Sequence, residues 1–234
     1  PQGSVISPLL ANIFLNEVMD GWMSAWRKQK ARGDVIAIRY VDDAVFGFQI
    51  ESEARAFLDG LRERLQDHGL NLHDGKTRLI EFGRFASSNR KKRGEGKPET
   101  FDFLGFTHAC GKTRTGKFKL RRVTIAKRMT RKLAEIKEEL RKRMHDPLGK
   151  TGRWLASVIR GVVRYFAVPG NLQSMRAFYT AMGRMWLKSI RRRSQKARTR
   201  WTWERFYRLQ AHWLPRPRLS HPYPNQRFDA KYSR

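Results

Sequence analysis

The sequence predicts an α+β fold in two parts, a sheet-and-helix region followed by an all-helical bundle. Short β-rich runs alternate with helical patterns as far as residue 122, and from Ile125 onward apolar residues recur only at helical spacing. A chain of 234 residues with 40% hydrophobic content can bury a substantial core. We therefore expect one domain over 1–122, a helical domain over 123–200 and a basic aromatic tail over 201–234.

The first part should open with a long helix. Ser7 followed by Pro8 is a helix-start signal, because Ser can cap free amides and Pro suits the first helical position. Apolar residues then recur at every fourth position and predict one buried stripe: Leu10, Phe14, Val18, Trp22 and Trp26. Two β-rich runs, 35–38 and 44–48, predict a hairpin joined through an acidic turn.

The rest of the first part should contain a further helix and three strands. Ser52 is expected to cap the helix, whose buried face carries Phe57, Leu61 and Leu65. Segments 79–82, 101–106 and 118–120 predict strands. The segment 83–98 has few apolar residues and four consecutive basic ones, and it predicts a basic loop.

The second part predicts three long helices. Helical spacing of apolar residues marks the first from Ile125 to Met144, and the second should cover Trp154 to Phe166. Asn171 is expected to cap the third. After Thr202 one short helix should lead into Pro-rich basic chain.

The charge balance points to a polyanionic partner. A net charge of +29 and a pI near 11.3 are not needed for folding, because like charges repel one another in a compact state. Nucleic acid fits this charge better than a membrane does, since the sequence has no run of roughly 18 or more apolar residues. The single cysteine, Cys110, excludes a disulfide framework, and an intracellular location is expected.

Two adjacent carboxylates, Asp42 and Asp43, lie between the strands of the predicted hairpin. Carboxylate oxygens are the ligands that Mg²⁺ prefers, and magnesium can keep further positions for substrate phosphates. An Asp pair between two strands is also ordinary turn chemistry, because the Asp side chain bonds the local backbone. The surrounding motifs decide between these two interpretations.

Four blocks resemble, in order and spacing, successive blocks of reverse transcriptases: Pro1-Gln2-Gly3-Ser4 with Ser7-Pro8-Leu9-Leu10-Ala11-Asn12, Tyr40-Val41-Asp42-Asp43, Gly75-Lys76-Thr77 and Phe103-Leu104-Gly105-Phe106. The segment 159–166 resembles the thumb or maturase region of bacterial group II intron proteins. The resemblance implies a partial reverse transcriptase palm, with an antiparallel sheet and helices, followed by an all-α thumb/maturase bundle.

The resemblance also implies roles for particular residues. Catalytic roles fall to Asp42, Asp43 and Lys76, and the two aspartates would also bind a pair of Mg²⁺ ions. Contacts to template and incoming nucleotide are implied for Gln2, Gly3 and Tyr40. Leu104 and Gly105 would grip the primer end. In this family a further carboxylate comes from an earlier palm strand, so we expect the two-ion site to be incomplete and the chain to be a fragment that is inactive alone.

RNA binding is predicted for the basic helical half. Arg and Lys spread over helices bind phosphates without reading sequence, and eight positions are expected to do so: Arg160, Arg164, Arg191, Arg192, Arg193, Lys196, Arg198 and Arg200. The aromatic residues that follow, Trp201, Trp203 and Tyr207, could stack on unpaired bases. At helical spacing such residues are more often core, and core is the favoured interpretation for Trp203 and Phe206.

The function expected from these observations is that of a group II intron reverse transcriptase and maturase. Such a protein copies intron RNA from a DNA primer with dNTPs and stabilises the folded intron RNA during splicing. It would work in the bacterial cytoplasm without membrane attachment. Two alternatives stay open at this point, a reverse transcriptase of a retron or CRISPR-associated system and an RNA-binding maturase without polymerase activity.

Overall fold

The computed structural model describes residues 6–223 and divides the chain into two compact units between Glu81 and Phe82. Each unit combines helices with a small antiparallel sheet, so the predicted α+β class is confirmed. The predicted domain boundary near residue 122 stays a prediction. Among the described residues, no helix is long and apolar enough to cross a membrane.

The first unit is built from helices around a two-stranded hairpin. Its elements in chain order are α1 (Ser7–Leu15), a π-helical turn (Asn16–Asp20), α2 (Gly21–Lys30), β1 (Val35–Tyr40), β2 (Asp43–Phe48) and α3 (Glu51–Gln66). The hairpin predicted from the β-rich runs is therefore present, with β1 and β2 antiparallel.

Phe57 of α3 lies at the centre of the first unit's core. Its ring contacts Trp22, Trp26, Phe46 and Phe48 with centroid separations of 4.9–5.2 Å. Aromatic pairs at such distances stabilise a core beyond the effect of their buried area. The predicted buried face of α3 is confirmed, since Leu61 and Leu65 are buried with Phe57.

The predicted buried stripe of the opening helix is wrong at its start. Leu10 and Phe14 are 55% and 42% exposed, whereas Val18 and Trp26 are buried. The exposure is not a change of helix face, because no residue of α1 is buried and Leu9 and Ile13 are exposed as well. Ser7 does not cap α1, which already begins at Ser7.

The capping position of α3 also differs from the prediction, by two residues. Its capping position is Ile50, and the helix begins at Glu51, so the predicted cap Ser52 lies within the first turn. No side chain makes a capping bond there.

The second unit joins a three-stranded sheet to the helical bundle. Its elements are α4 (Ala86–Lys92), β3 (Phe101–Phe103), β4 (Phe106–Lys112), β5 (Phe118–Thr124), α5 (Ala126–Lys142), α6 (Leu148–Phe166), α7 (Leu172–Arg191), α8 (Gln195–Arg200) and α9 (Trp203–Trp213). The strands are antiparallel in the order β3-β4-β5.

Three predictions fail between residues 79 and 106. The segment 79–82 is not a strand, and the expected loop at 83–98 contains the short basic helix α4. The expected strand at 101–106 is two strands, β3 and β4, which are joined by a turn at Leu104 and Gly105. A positive φ at both turn residues reverses the chain there.

The core of the second unit lies among the long helices. Phe178 and Trp186 of α7 and Phe206 of α9 are almost fully buried, together with Leu155 and Ile159 of α6. The three predicted helices are present, although α6 begins at Leu148, earlier than expected. The helix predicted after Thr202 is α9.

Asn171 precedes α7 as predicted, but its side chain makes no capping bond. Its amide oxygen accepts from the Thr124 backbone N–H at 3.1 Å, and its Nδ2 donates to Thr124 Oγ1 at 2.7 Å and to the Phe166 carbonyl at 2.8 Å. The residue is buried, and its two bonds to Thr124 are shielded from water. Asn171 thus ties the end of β5 to the end of α6 and the start of α7.

Candidate functional site

The two candidate metal ligands lie at the tip of the β1–β2 hairpin. Tyr40 and Asp43 face each other as the last cross-strand pair, and Val41 and Asp42 form the two-residue loop. Both aspartates are exposed to solvent. Tyr40 is exposed too and shares one face of the hairpin with Asp43, because directly paired residues point to the same side.

Val41 has a φ of 57°. A two-residue hairpin loop needs a positive φ at its first position, which Gly, Asn or Asp normally supplies. A β-branched residue there is a true conformational outlier, and residues in such rarely populated regions cost about 1–3 kcal/mol. The loop that presents Asp42 is therefore held in a strained conformation by its surroundings.

Arg39 supplies part of that support. Its Nη1 donates to the Val41 carbonyl at 2.9 Å and to Asn12 Oδ1 at 2.8 Å. Its Nε donates to Asp20 Oδ1 at 2.9 Å, and its Nη2 pairs with the other oxygen of the same carboxylate. Hydrogen bonding to Asp20 raises the pKa of Arg39 above its ordinary value, against the opposing effect of burial.

The hydrogen-bonded group of Arg39, Asp20 and Asn12 was not predicted from the sequence. One sequence feature could have indicated it, since Arg39 falls on the same face of β1 as Val35 and Ala37 by strict alternation. An arginine on the inward face of a strand requires a partner. The sequence does not indicate that the partner, Asp20, lies 19 residues away at the end of the π-helical turn.

The carboxylates of Asp42 and Asp43 form no hydrogen bond or ion pair with another described residue. Two solvent-facing carboxylates on one hairpin fit Mg²⁺, which prefers oxygen ligands and keeps several positions for water and phosphate. Over residues 6–223, no group of three or more His, Cys, Asp and Glu side chains could hold a metal ion. The described residues thus offer a pair of ligands and no larger cluster.

The other predicted residues of the first unit are less constrained. Lys76 lies in a turn in which its backbone N–H bonds the His73 carbonyl, and its side chain is exposed. No hydrogen bond or ion pair joins Lys76 to Asp42 or Asp43. Gln2 and Gly3 lie outside the described residues.

Leu104 and Gly105 form the turn between β3 and β4, with φ values of 47° and 82°. The Tyr165 hydroxyl donates to the Leu104 carbonyl at 2.9 Å, and the Gly105 carbonyl accepts from the Ile125 N–H at 3.1 Å. A Cβ at position 105 would lie 3.3 Å from the Phe166 ring, so a larger residue would be both strained and crowded. The predicted primer grip is therefore a rigid turn supported by the end of α6.

The predicted RNA-binding residues fall into two groups. Arg160 and Arg164 are exposed one turn apart on α6, and further exposed side chains lie at or after the end of α7: Arg192, Lys196, Arg198 and Arg200. Arg191 and Arg193 differ, because they are half-buried and bond backbone carbonyls of Trp201 and Asp146 at 2.8 Å. Burial lowers the pKa of Arg193, while Asp146 acts in the opposite direction.

Comparison with known proteins gives one family match, which lies in the first part of the chain. Residues 1–108 match the family model of reverse transcriptases (RNA-dependent DNA polymerases). The match supports a reverse transcriptase, and the predicted resemblance is confirmed at that level. It includes the aspartate hairpin, Lys76 and the turn at Leu104 and Gly105, and it ends before the helical bundle. No curated protein matches the chain.

Proposed function

We propose that the protein is a group II intron reverse transcriptase and maturase, which polymerises DNA on an RNA template and assists splicing of intron RNA. The observation that carries the polymerase part is the strained hairpin with unpaired Asp42 and Asp43 inside the reverse transcriptase match. The net charge of +29 and the exposed arginines of α6 support binding of RNA.

In the proposed reaction the 3′ hydroxyl oxygen of a DNA primer attacks the α-phosphorus of a dNTP, and the bond to pyrophosphate breaks. Asp42, with Asp43 beside it, would hold Mg²⁺, which when bound activates the attacking oxygen and stabilises the leaving oxygen. Lys76 would add positive charge or a proton at the triphosphate. The turn at Leu104 and Gly105 would hold the primer end, and Gln2, Gly3 and Tyr40 would contact template and nucleotide.

The test is primer extension on an RNA template by the protein expressed from its full reading frame. We expect Asp42→Asn to reduce extension to background while the affinity for RNA stays unchanged, because the change removes a metal ligand and not a phosphate contact. Asp67→Asn, which neutralises an exposed aspartate at the end of α3, is the matched control and should extend normally. Normal extension by Asp42→Asn would refute the polymerase assignment.

The maturase part is tested separately by splicing of the intron RNA with the same variants. Asp42→Asn should support splicing as the wild type does, since splicing chemistry belongs to the RNA. A retron or CRISPR-associated reverse transcriptase would extend primers without any effect on splicing. An RNA-binding maturase without polymerase activity would assist splicing but would not extend primers. Extension by residues 1–234 alone, with Mg²⁺, tests the prediction that this chain is inactive by itself.

A further inference from the structure

A groove of about 660 Å³ lies between α7, α9 and the segment that follows α9. Its volume falls within the roughly 300–1,000 Å³ typical of small-ligand pockets. Six of its residues carry the argument: Tyr179, Arg184, Trp203, Tyr207, Gln210 and Arg216. The groove lies beyond the part of the chain that matches reverse transcriptases, and none of its residues takes part in the proposed polymerisation chemistry.

One wall of the groove is aromatic. Trp203 and Tyr207 are 44% and 59% exposed, and their ring centroids lie 5.8 Å apart at an interplanar angle of 31°. The expectation that Trp203 belongs to the core is wrong, whereas the neighbouring Phe206 is fully buried as predicted. Two exposed aromatic rings side by side offer a stacking surface to a planar ligand.

The rim of the groove is cationic. Arg184 and Arg216 are exposed and form no ion pair or hydrogen bond with another described residue. Glu204, on the neighbouring turn of α9, is engaged by Arg208 at 2.7 Å. The guanidinium groups at the rim are thus available for an anion, and a phosphate suits their fork of donors.

The floor of the groove is polar and ordered. Gln210 is buried, and a Cβ at Gly183 would lie 2.6 Å from its Nε2, so a larger residue at position 183 would displace this side chain. Burial raises the pKa of the neighbouring Tyr179 hydroxyl, which Arg216 and Gln210 oppose. Amide and hydroxyl groups at the floor can hydrogen-bond the edge of a base whose face lies on the aromatic wall.

We propose that this groove binds an unpaired nucleotide of a single-stranded nucleic acid, with the base stacked on Tyr207 and Trp203 and the backbone phosphates bound by Arg184 and Arg216. The inference rests on the proposed function for the presence of such a strand, and it assigns a specific binding place within the general basic surface. Stacking combined with phosphate contacts is how proteins hold single strands without reading their sequence.

The test is fluorescence anisotropy of the full chain with labelled 12-nucleotide single strands of uridine and of deoxythymidine. Tyr207→Ala should weaken binding by about 5- to 100-fold, the effect of losing one stacked base. Tyr207→Phe keeps the ring and should bind like the wild type. Arg184→Gln should lower the slope of log K against log salt by about 0.7, the share of one phosphate contact on a single strand.

Two comparisons separate the groove from general charge attraction. Arg176→Gln removes an equal charge from the same helix outside the groove. Its effect on the binding free energy should add to that of Tyr207→Ala, whereas the effects of Arg184→Gln and Tyr207→Ala should not be additive. An abasic strand of equal length should bind wild type and Tyr207→Ala alike. The proposal would be overturned if Tyr207→Ala lowered the affinity equally for intact, abasic and double-stranded probes.

The outcome is independent of the polymerase test. If the protein binds the strands as expected but shows no primer extension, the proposal for the groove stands and the proposed polymerase function is wrong. If the protein extends primers but Tyr207→Ala has no effect on strand binding, the proposed polymerase function stands and the proposal for the groove is wrong.

Discussion

Val41 shows how the backbone at one residue presents a reactive side chain. A positive φ at a valine costs free energy, and the Arg39 bond to the Val41 carbonyl helps to maintain it. The same loop points the neighbouring Asp42 into solvent, free of protein partners. The strain thus lies beside the proposed metal ligand Asp42.

Replacing Val41 by glycine should relieve this strain. We expect Val41→Gly to raise the free energy of unfolding by about 1 kcal/mol, because glycine adopts a positive φ without steric cost. Urea unfolding followed by circular dichroism measures the change. The control is Val45→Gly, which alters a valine within β2 and should lower stability instead. Destabilisation of equal size by both changes would show that the loop is unstrained.

At the scale of single residues, the sequence predicts side chains whose chemistry is local. Asp42 and Asp43 are adjacent in the chain, so the hairpin pattern alone locates them. Arg39 and Asp20 are distant in sequence and meet only through the tertiary structure. Arg191 and Arg193 belong to a run of basic residues that predicts RNA binding. Only the structure shows that both donate to backbone carbonyls.

At the scale of elements, helices were easier to predict than turns. The periodicity that marks α5, α6 and α7 extends over many residues, whereas the break between β3 and β4 depends on φ at Leu104, where leucine carries no turn signal. The π-helical turn before α2 gives no signal in the sequence, and the apolar spacing of α1 does not show that Leu10 and Phe14 are exposed to solvent.

The support of the β3–β4 turn by α6 can be tested through Tyr165. Tyr165→Phe keeps ring contact with Phe106, at 5.9 Å between centroids, and removes the bond to the Leu104 carbonyl. If this turn grips the primer, we expect a rise in KM for primer–template of about 2- to 10-fold with kcat little changed. Steady-state primer extension by the full-length protein measures both constants. Tyr165→Ala, which also removes the ring, should have a larger effect, and unchanged KM in both variants would contradict the role.

Asn171 connects three elements, and its loss should be costly. Asn171→Leu leaves the Thr124 N–H and the Thr124 hydroxyl without the buried partner that Asn171 provides, so we expect a loss of about 2–4 kcal/mol in the free energy of unfolding. Urea unfolding measures it. Gln173→Ala, at an exposed position in the first turn of α7, should change stability little. A small effect of Asn171→Leu would mean that water replaces these bonds.

At the scale of the whole molecule, the dominant property is charge. The formal charge of +29 is predictable from composition alone, and so is its consequence that affinity for nucleic acid must fall steeply with salt. The structure adds which cations are free to contribute. Around the end of α7, Arg192, Lys196, Arg198 and Arg200 are exposed, whereas Arg191 and Arg193 also serve the fold.

Two matched sets of substitutions should separate these roles. Glutamine at the four exposed positions should flatten the dependence of log K on log salt by about 0.7–0.9 for each phosphate that no longer has a cationic partner, and it should leave thermal stability nearly unchanged. Arg191→Gln combined with Arg193→Gln should instead lower the melting temperature, because two partly buried carbonyls lose charged donors. RNA-binding titrations at several salt concentrations and thermal unfolding measure the two effects. Equal melting temperatures for both sets would contradict the division.

The glycines beneath α9 restrict which sequences can share this architecture. A Cβ at Gly152 would lie 2.6 Å from the Trp213 ring, and one at Gly183 equally close to Gln210. Each glycine weakens its own helix by about 1 kcal/mol relative to alanine, so drift toward alanine would be favoured if α9 were absent. Relatives that keep the stacking groove should therefore keep both glycines together with Trp213 and Gln210, whereas relatives that have lost α9 should be free to vary at all four positions. The packing of α9 against α6 and α7, on which the groove depends, can thus be looked for in a genome by these paired positions before any of those proteins is made.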